Sequence, residues 1–167
     1  MTPPKITVDQ RAVRGSNHSG MRQFNERIVL QAIRLHGQIP KADLARATQL
    51  STQTVAIIVN RLMEDGLLIK QAAIRGRIGQ PSIPLSLNPD GAFGVGLQVG
   101  RRSLEVLVTN FAGVPIWTKE TRYDYPDPSV LTGQIEASLN AAQQFLGDRW
   151  AAVVGIGIAA PPSMHKW

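Results

Sequence analysis

Val55, Ile58, Val59 and Leu62 recur at i, i+3, i+4 and i+7, the spacing of one buried stripe on a helix. This stripe constrains the chain more than any other feature, because it also fixes what faces outward: Thr52, Gln53, Ala56, Ile57 and Asn60. That outer face is short, polar or small, and carries no charge. An ordinary surface helix would show Glu/Lys pairs there. Ser51 has the chemistry of an N-terminal cap, since its hydroxyl can accept from backbone N–H groups of the first turn. Glu64 and Asp65 fall at the far end, and Gly66 ends the helix.

A one-sided stripe needs partners, and the flanking sequence supplies them. Upstream, KADLARATQ predicts a short helix with Pro40 at its first position, where no helix hydrogen bond is lost. Leu44 and Ala45 face inward, Ala47 keeps a helix contact slim, and Leu50 plugs the turn. Earlier still, Phe24, Ile28, Leu30 (or Val29), Ala32, Ile33 and Leu35 recur at near-helical spacing. Asn25 is placed to cap that first helix and Gly37 to stop it. Downstream, Leu67-Leu68-Ile69 starts a strand and Ser82 to Leu87 returns beside it. Between them lies a loop with Arg75, Gly76, Arg77, Gly79 and Gln80. Helix, helix, turn, helix and a basic hairpin, in that order, read as a winged helix-turn-helix over residues 21–88.

Charge gives this reading a partner. Residues 1–80 carry twelve Lys/Arg against five Asp/Glu, and residues 81–167 six against seven. The whole net charge of +6 therefore belongs to the first half, which suits a polyanion as well as a plain solvated surface. For a double-stranded DNA partner, Thr52, Gln53, Ala56, Ile57 and Asn60 are the candidate base contacts. Gln and Asn can pair with adenine through two hydrogen bonds, and Thr or Ala can meet a thymine methyl. Arg75 and Arg77, with Gly76, Gly79 and Gln80 around them, form the candidate wing for a minor groove. Arg22, Lys41, Arg46 and Arg61 are the candidate phosphate contacts. Residues 1–20 read as a flexible arm whose Arg11, Arg14 and His18 can meet phosphates if it lies on DNA.

Other chemistries find little support. There is no cysteine, and His18, His36 and His165 have no metal-ligand spacing, so no metal and no cofactor are expected. No apolar run is long enough for a membrane span, and no secretory signal opens the chain, which makes the cytoplasm the default compartment.

After the turn at Asn88-Pro89-Asp90-Gly91 the composition shifts. FGVGLQVG, SLEVLVTN and VPIWTKETR read as three strands, with a tight turn at NFAG. Asp127-Pro128-Ser129 breaks the chain, Val130 to Leu146 has a helical period, and AAVVGIGIA reads as a buried strand of a parallel sheet. The order is β-β-β-α-β over residues 89–167, and the chain as a whole is α/β. GVGLQVG is followed by a strand rather than a helix, which removes a dinucleotide-binding reading.

GSNHSGMRQFNERIVLQAIRLHG, the helix-turn-helix, GRIGQPSIPLSLNP, FGVGLQVGRRSLEVLVTNFAGVPI and VVGIGIAAP, in this order, resemble ROK-family transcriptional repressors, the sugar-responsive regulators of the xylose and N-acetylglucosamine type. The resemblance runs from about Arg14 to the end. It implies a winged helix on operator DNA, and an actin-like, sugar-kinase-type domain that binds a sugar effector and carries oligomer contacts. A homodimer on a palindromic operator is the matching expectation. Family proteins are much longer. The actin-like domain is expected to be incomplete here, its sugar motifs and zinc site lying beyond Trp167, in a truncated product or a fragment. The apolar stretch Val153–Ile158 is then expected to be uncovered, inviting self-association.

The kinase branch of the family opens its first strand with an Asp–Gly–Thr phosphate turn. Gln98 stands at the acidic position here, so no catalytic residue is assigned. Two alternatives to a repressor remain: a sugar kinase-type enzyme of the same superfamily, and a winged-helix module that binds protein.

Overall fold

A computed structural model describes residues 16–73 and 82–161, with side chains described from Gly20 onward. The first unit is three helices and a small sheet. Helix α1 (Ser16–His36) leads into a two-residue strand β1 (Ile39–Pro40), then α2 (Lys41–Thr48), α3 (Thr52–Glu64), β2 (Leu68–Lys70) and β3 (Pro84–Leu87). The sheet is antiparallel in the order β1-β3-β2, with Leu68 opposite Leu87 and Ile39 opposite Leu85.

The core of this unit joins Val29 and Ile33 of α1, Leu44 and Ala45 of α2, the α3 stripe Val55, Ile58, Val59 and Leu62, and Leu68 and Leu85 of the sheet. The α3 stripe is the expected one. Helix α1 differs from expectation. It begins at Ser16, inside the stretch read as an arm, so Asn25 lies in its middle and caps nothing. Its buried pair is Val29 and Ile33, whereas Phe24 and Leu35 are exposed. An Arg22–Glu26 pair at i, i+4 supports the added turns. Pro40 serves as the residue before α2 and pairs with Pro84 across the sheet, and Ala47 is exposed rather than pressed between helices.

The second unit is a four-stranded sheet in the order β6-β5-β4-β7: β4 (Phe93–Val99), β5 (Ser103–Asn110), β6 (Pro115–Arg122) and, after α4 (Pro128–Leu146) and a short 3-10 turn, β7 (Val153–Ala159). The first three strands are antiparallel and β7 runs parallel to β4, which is the β-β-β-α-β order. The core packs Val95, Leu97, Val99, Leu104, Val106 and Val108 of the sheet against Ala142 and Leu146 of α4. Asp127-Pro128-Ser129 turns out to start α4. The Asp127 carboxylate accepts from the Ser129 amide at 2.9 Å and from its hydroxyl at 2.7 Å, and Pro128 fills the first turn. Those two bonds hold the Asp127 carboxyl below the usual carboxylate range. Along α4, Ala142 and Leu146 are buried and Ile135 and Leu139 pack against the same core, Ser138 is buried with them, and Val130 and Phe145 are exposed.

A short joint links the units. The Asn88 amide donates to the Gly66 carbonyl at 2.7 Å, at the end of α3, and the Phe111 amide donates to the Pro89 carbonyl at 3.1 Å. Gly91 must be glycine, because a Cβ there would lie 2.6 Å from the Gly66 carbonyl oxygen. An apolar groove of about 730 Å³ runs beside this joint, lined by Phe24, Ile28 and Leu35 of α1 and by Ala47, Leu87 and Phe111.

Candidate nucleic-acid interface

The α2–α3 corner is set by two local choices. Gln49 closes α2 in the left-handed region at φ 57°, letting the chain turn within three residues. Ser51 then caps α3: its Oγ accepts from the Thr54 amide at 3.1 Å and lies 2.8 Å from the Thr54 hydroxyl. This satisfies one of the free N–H groups of the first turn and fixes where the helix begins.

With the stripe turned inward, Thr52, Gln53, Ile57 and Asn60 are exposed and Ala56 is half-buried. Ile57 is 63% exposed, an aliphatic side chain held in water between two amides. The five candidate base-contact residues therefore form one continuous strip with no charge on it. Such a strip offers donors, acceptors and methyl groups without the bulk or hydration of an ion, which is what reading base edges in a major groove requires.

The candidate phosphate contacts divide into two kinds. Three are already paired with carboxylates. Arg22 Nε lies 3.2 Å from Glu26, Arg61 lies 3.4 Å from the same Glu26 and 3.7 Å from Asp65, and Arg46 pairs with Asp43. The arginine side chains remain 44–79% exposed. Exposed pairs of this sort contribute about 0–1 kcal/mol each and are easily exchanged for a phosphate. The fourth, Lys41, has no carboxylate partner among the described residues. Its ammonium donates to Asn60 Oδ1 at 3.1 Å.

The wing residues Arg75, Gly76, Arg77, Gly79 and Gln80 lie outside the described residues, as do Arg11 and Arg14 of the arm. The strands that carry the wing are described, and they expose a cation that sequence reasoning missed. Lys70 ends β2, and with Lys41, Pro40 and Leu85 it lines a cleft of about 370 Å³ at the base of the hairpin. Its position directly before the basic loop was the available signal.

Elsewhere, Tyr123 staples the β4–β5 turn by lying 2.8 Å from the Gly100 carbonyl and 2.9 Å from the Ser103 carbonyl, and burial raises its pKa. Gln98 is exposed near the end of β4. Among the described residues no cluster of His, Cys, Asp or Glu suits a metal ion, and no helix is long and apolar enough to cross a membrane.

Comparison with known proteins bears on the family and the fold. Residues 23–77 match the model of the MarR family. A transcriptional regulator of Mycobacterium tuberculosis is 34% identical over 125 residues, covering 73% of this chain and 27% of that protein. The xylose repressor of Caldicellulosiruptor bescii is 23% identical over 155 residues, covering 90% of this chain and 38% of that protein. A crystal structure of a ROK family transcriptional regulator, a homologue of the E. coli MLC protein, shares the fold with a TM-score of 0.64, at 20% identity over 84% of this chain and 36% of that one. The chain thus spans between about a quarter and two-fifths of the length of these relatives.

Proposed function

We propose that this chain, a ROK-type transcriptional regulator by sequence and fold, binds operator DNA sequence-specifically and represses the genes beside it. The observation that carries the reading is the uncharged strip on α3, capped by Ser51 and backed by a complete core. In this reading Thr52, Gln53, Ala56, Ile57 and Asn60 face the major groove, and Arg75 and Arg77 reach the minor groove from the hairpin. Arg22, Arg46 and Arg61 exchange their carboxylates for phosphates. The DNA-binding unit ends near residue 88, and α1 extends it back to Ser16. Residues from about 89 onward belong to the effector and assembly domain.

Relatives named xylose repressors support a pentose or related sugar as effector of the whole protein, and sugar-utilisation genes as targets. A homodimer on a palindromic site, acting in the cytoplasm, completes the proposal. Relatives named as regulators, and Gln98 where the kinase branch has an acidic residue, favour regulation over sugar phosphorylation.

The test is selection of bound DNA from a random pool at defined salt. The expected outcome is a palindromic consensus, with affinity falling at a log–log slope of roughly −0.9 per phosphate neutralised. Binding without a consensus would leave a basic surface and no operator reader. Failure to bind any DNA at low salt would favour a protein-binding winged helix.

A further inference from the structure

Lys41 behaves unlike the other cations of the interface. It opens α2, where a positive charge opposes the helix dipole, so it does nothing for that helix. The residue before it, Pro40, makes no side-chain cap, and Lys41 has no carboxylate to balance it among the described residues. Its ammonium instead crosses to α3 and meets Asn60, nineteen residues on, at 3.1 Å. An ammonium has only hydrogens to give, so it must meet the amide oxygen and not the amide nitrogen. The chemistry of the pair therefore sets which way the Asn60 amide turns.

We propose that Lys41 is a positioning residue for base readout: it holds Asn60 Oδ1 and leaves Nδ2 as the group shown to the major groove. The consequence is a change in what Asn60 reads. The two-bond contact of an Asn with adenine needs Oδ1 to accept from the base and Nδ2 to donate to it. With one of the two Oδ1 lone pairs taken by the ammonium, and the ammonium's own hydrogens beside it, the pair is richer in donors than a free Asn. Guanine offers two acceptors, N7 and O6, on its major-groove edge, and a donor-rich pair suits that edge better than adenine's acceptor and donor. Gln53 has no such partner among the described residues and remains able to pair with adenine.

The inference rests on the DNA-binding reading, and the experiment separates the two. DNA is selected from a random pool with the wild-type chain, Lys41→Met, Lys41→Arg, Asn60→Ala and the double variant Lys41→Met/Asn60→Ala. Affinities are then measured on the consensus and on its single-base variants over a salt series. Lys41 and Asn60 are both exposed, and thermal melts check that each variant is folded.

The expected result is a guanine preference of roughly tenfold at one position of each half-site, within the range of a two-bond contact. Lys41→Met shifts that position toward adenine and leaves the others unchanged. Lys41→Arg, which keeps donors, retains the guanine. The double variant is no weaker than Asn60→Ala by itself.

A uniform loss on all sequences with Lys41→Met, with the salt slope reduced by about 0.9, would make Lys41 an ordinary phosphate contact and overturn the proposal. Additive losses in the double variant would do the same. A wild-type chain that selects no consensus would remove the operator-binding reading, and this assignment would fall with it.

Discussion

Two exposed surfaces of this molecule break the usual rules of surface composition, and they break them differently. The strip on α3 has no charge but is polar through most of its length, with Gln53 and Asn60 on either side of Ile57. Strand β7 exposes apolar side chains: Val154 is 80% exposed and Ile158 72%. Beneath α3 the core is complete, with the whole stripe buried. Beside β7 there is one strand only, β4, and the other edge has no partner among the described residues. A surface kept for a polar polymer holds side chains that water can satisfy while they wait. An apolar strand face holds nothing for water, and marks a place where protein packs or sticks.

The sharpest form of the contrast lies within one sheet. Strands β4 and β7 have almost the same pattern and pair in parallel, with Gly94 opposite Gly155 and Gly96 opposite Gly157. Leu97 and Ile158 are partners in register, yet Leu97 is buried in the α4 core and Ile158 is exposed. Leu97→Ala is expected to destabilise the chain by about 2–5 kcal/mol, and Ile158→Ala by about 0.5 kcal/mol or less. Urea denaturation of both variants checks this. Equal costs would mean that β7 is covered in solution, and sedimentation velocity would then reveal the self-association responsible.

The same contrast predicts that the α3 strip matters for binding and not for folding. Gln53→Ala is expected to cost about 1–3 kcal/mol of operator binding, to relax specificity at one base pair, and to leave the melting temperature unchanged. Equal loss on operator and random DNA would demote Gln53 to a general contact.

How much of this was legible in the sequence depended on the range of the interaction. Helix α3 could be read from its own residues, because a stripe at 55, 58, 59 and 62 has one solution. Strands β4, β5 and β6 could be read in the same way. The start of α1 could not be read, since Ser16, Ser19 and Gly20 are weak helix formers and the caps nearby offered a better local choice at Asn25. Strand β1 is two residues long and has no period to detect. The Lys41–Asn60 bond spans nineteen residues, and the Glu26–Arg61 pair spans thirty-five; no local pattern announces either. The run AAVVGIGIA by itself reads as a buried strand, and only the expectation that its covering layers are missing made Val153–Ile158 an uncovered one, as it is here. Exposure is set by neighbours.

Ser51→Ala tests whether the strip depends on its cap. The lost bond to the Thr54 amide is expected to cost about 1 kcal/mol of stability, seen in a thermal melt. Operator binding should weaken alongside, since the first turn of α3 carries Thr52 and Gln53. A stability loss with unchanged binding would show that the strip is held by the core alone.

The smallest effect concerns Glu26, which accepts from Arg22 and forms an ion pair with Arg61. If those arginines exchange carboxylate for phosphate on binding, the free protein holds them at a small cost to affinity. Glu26→Gln removes the competing charge while keeping the shape. Its effect on stability is expected to be about 0–1 kcal/mol, because both arginines are largely exposed. Its effect on DNA should be a modest gain in affinity at low salt, since Arg22 loses its competing carboxylate, Arg61 keeps only Asp65, and one repelled charge is gone. The gain should fade at high salt, where the screening length falls to about 3 Å at 1 M. A gain of equal size at all salt concentrations would point to a change in shape. A loss of affinity would mean that Glu26 holds the two arginines in the position DNA requires, making α1, as much as α3, part of the surface that reads the operator.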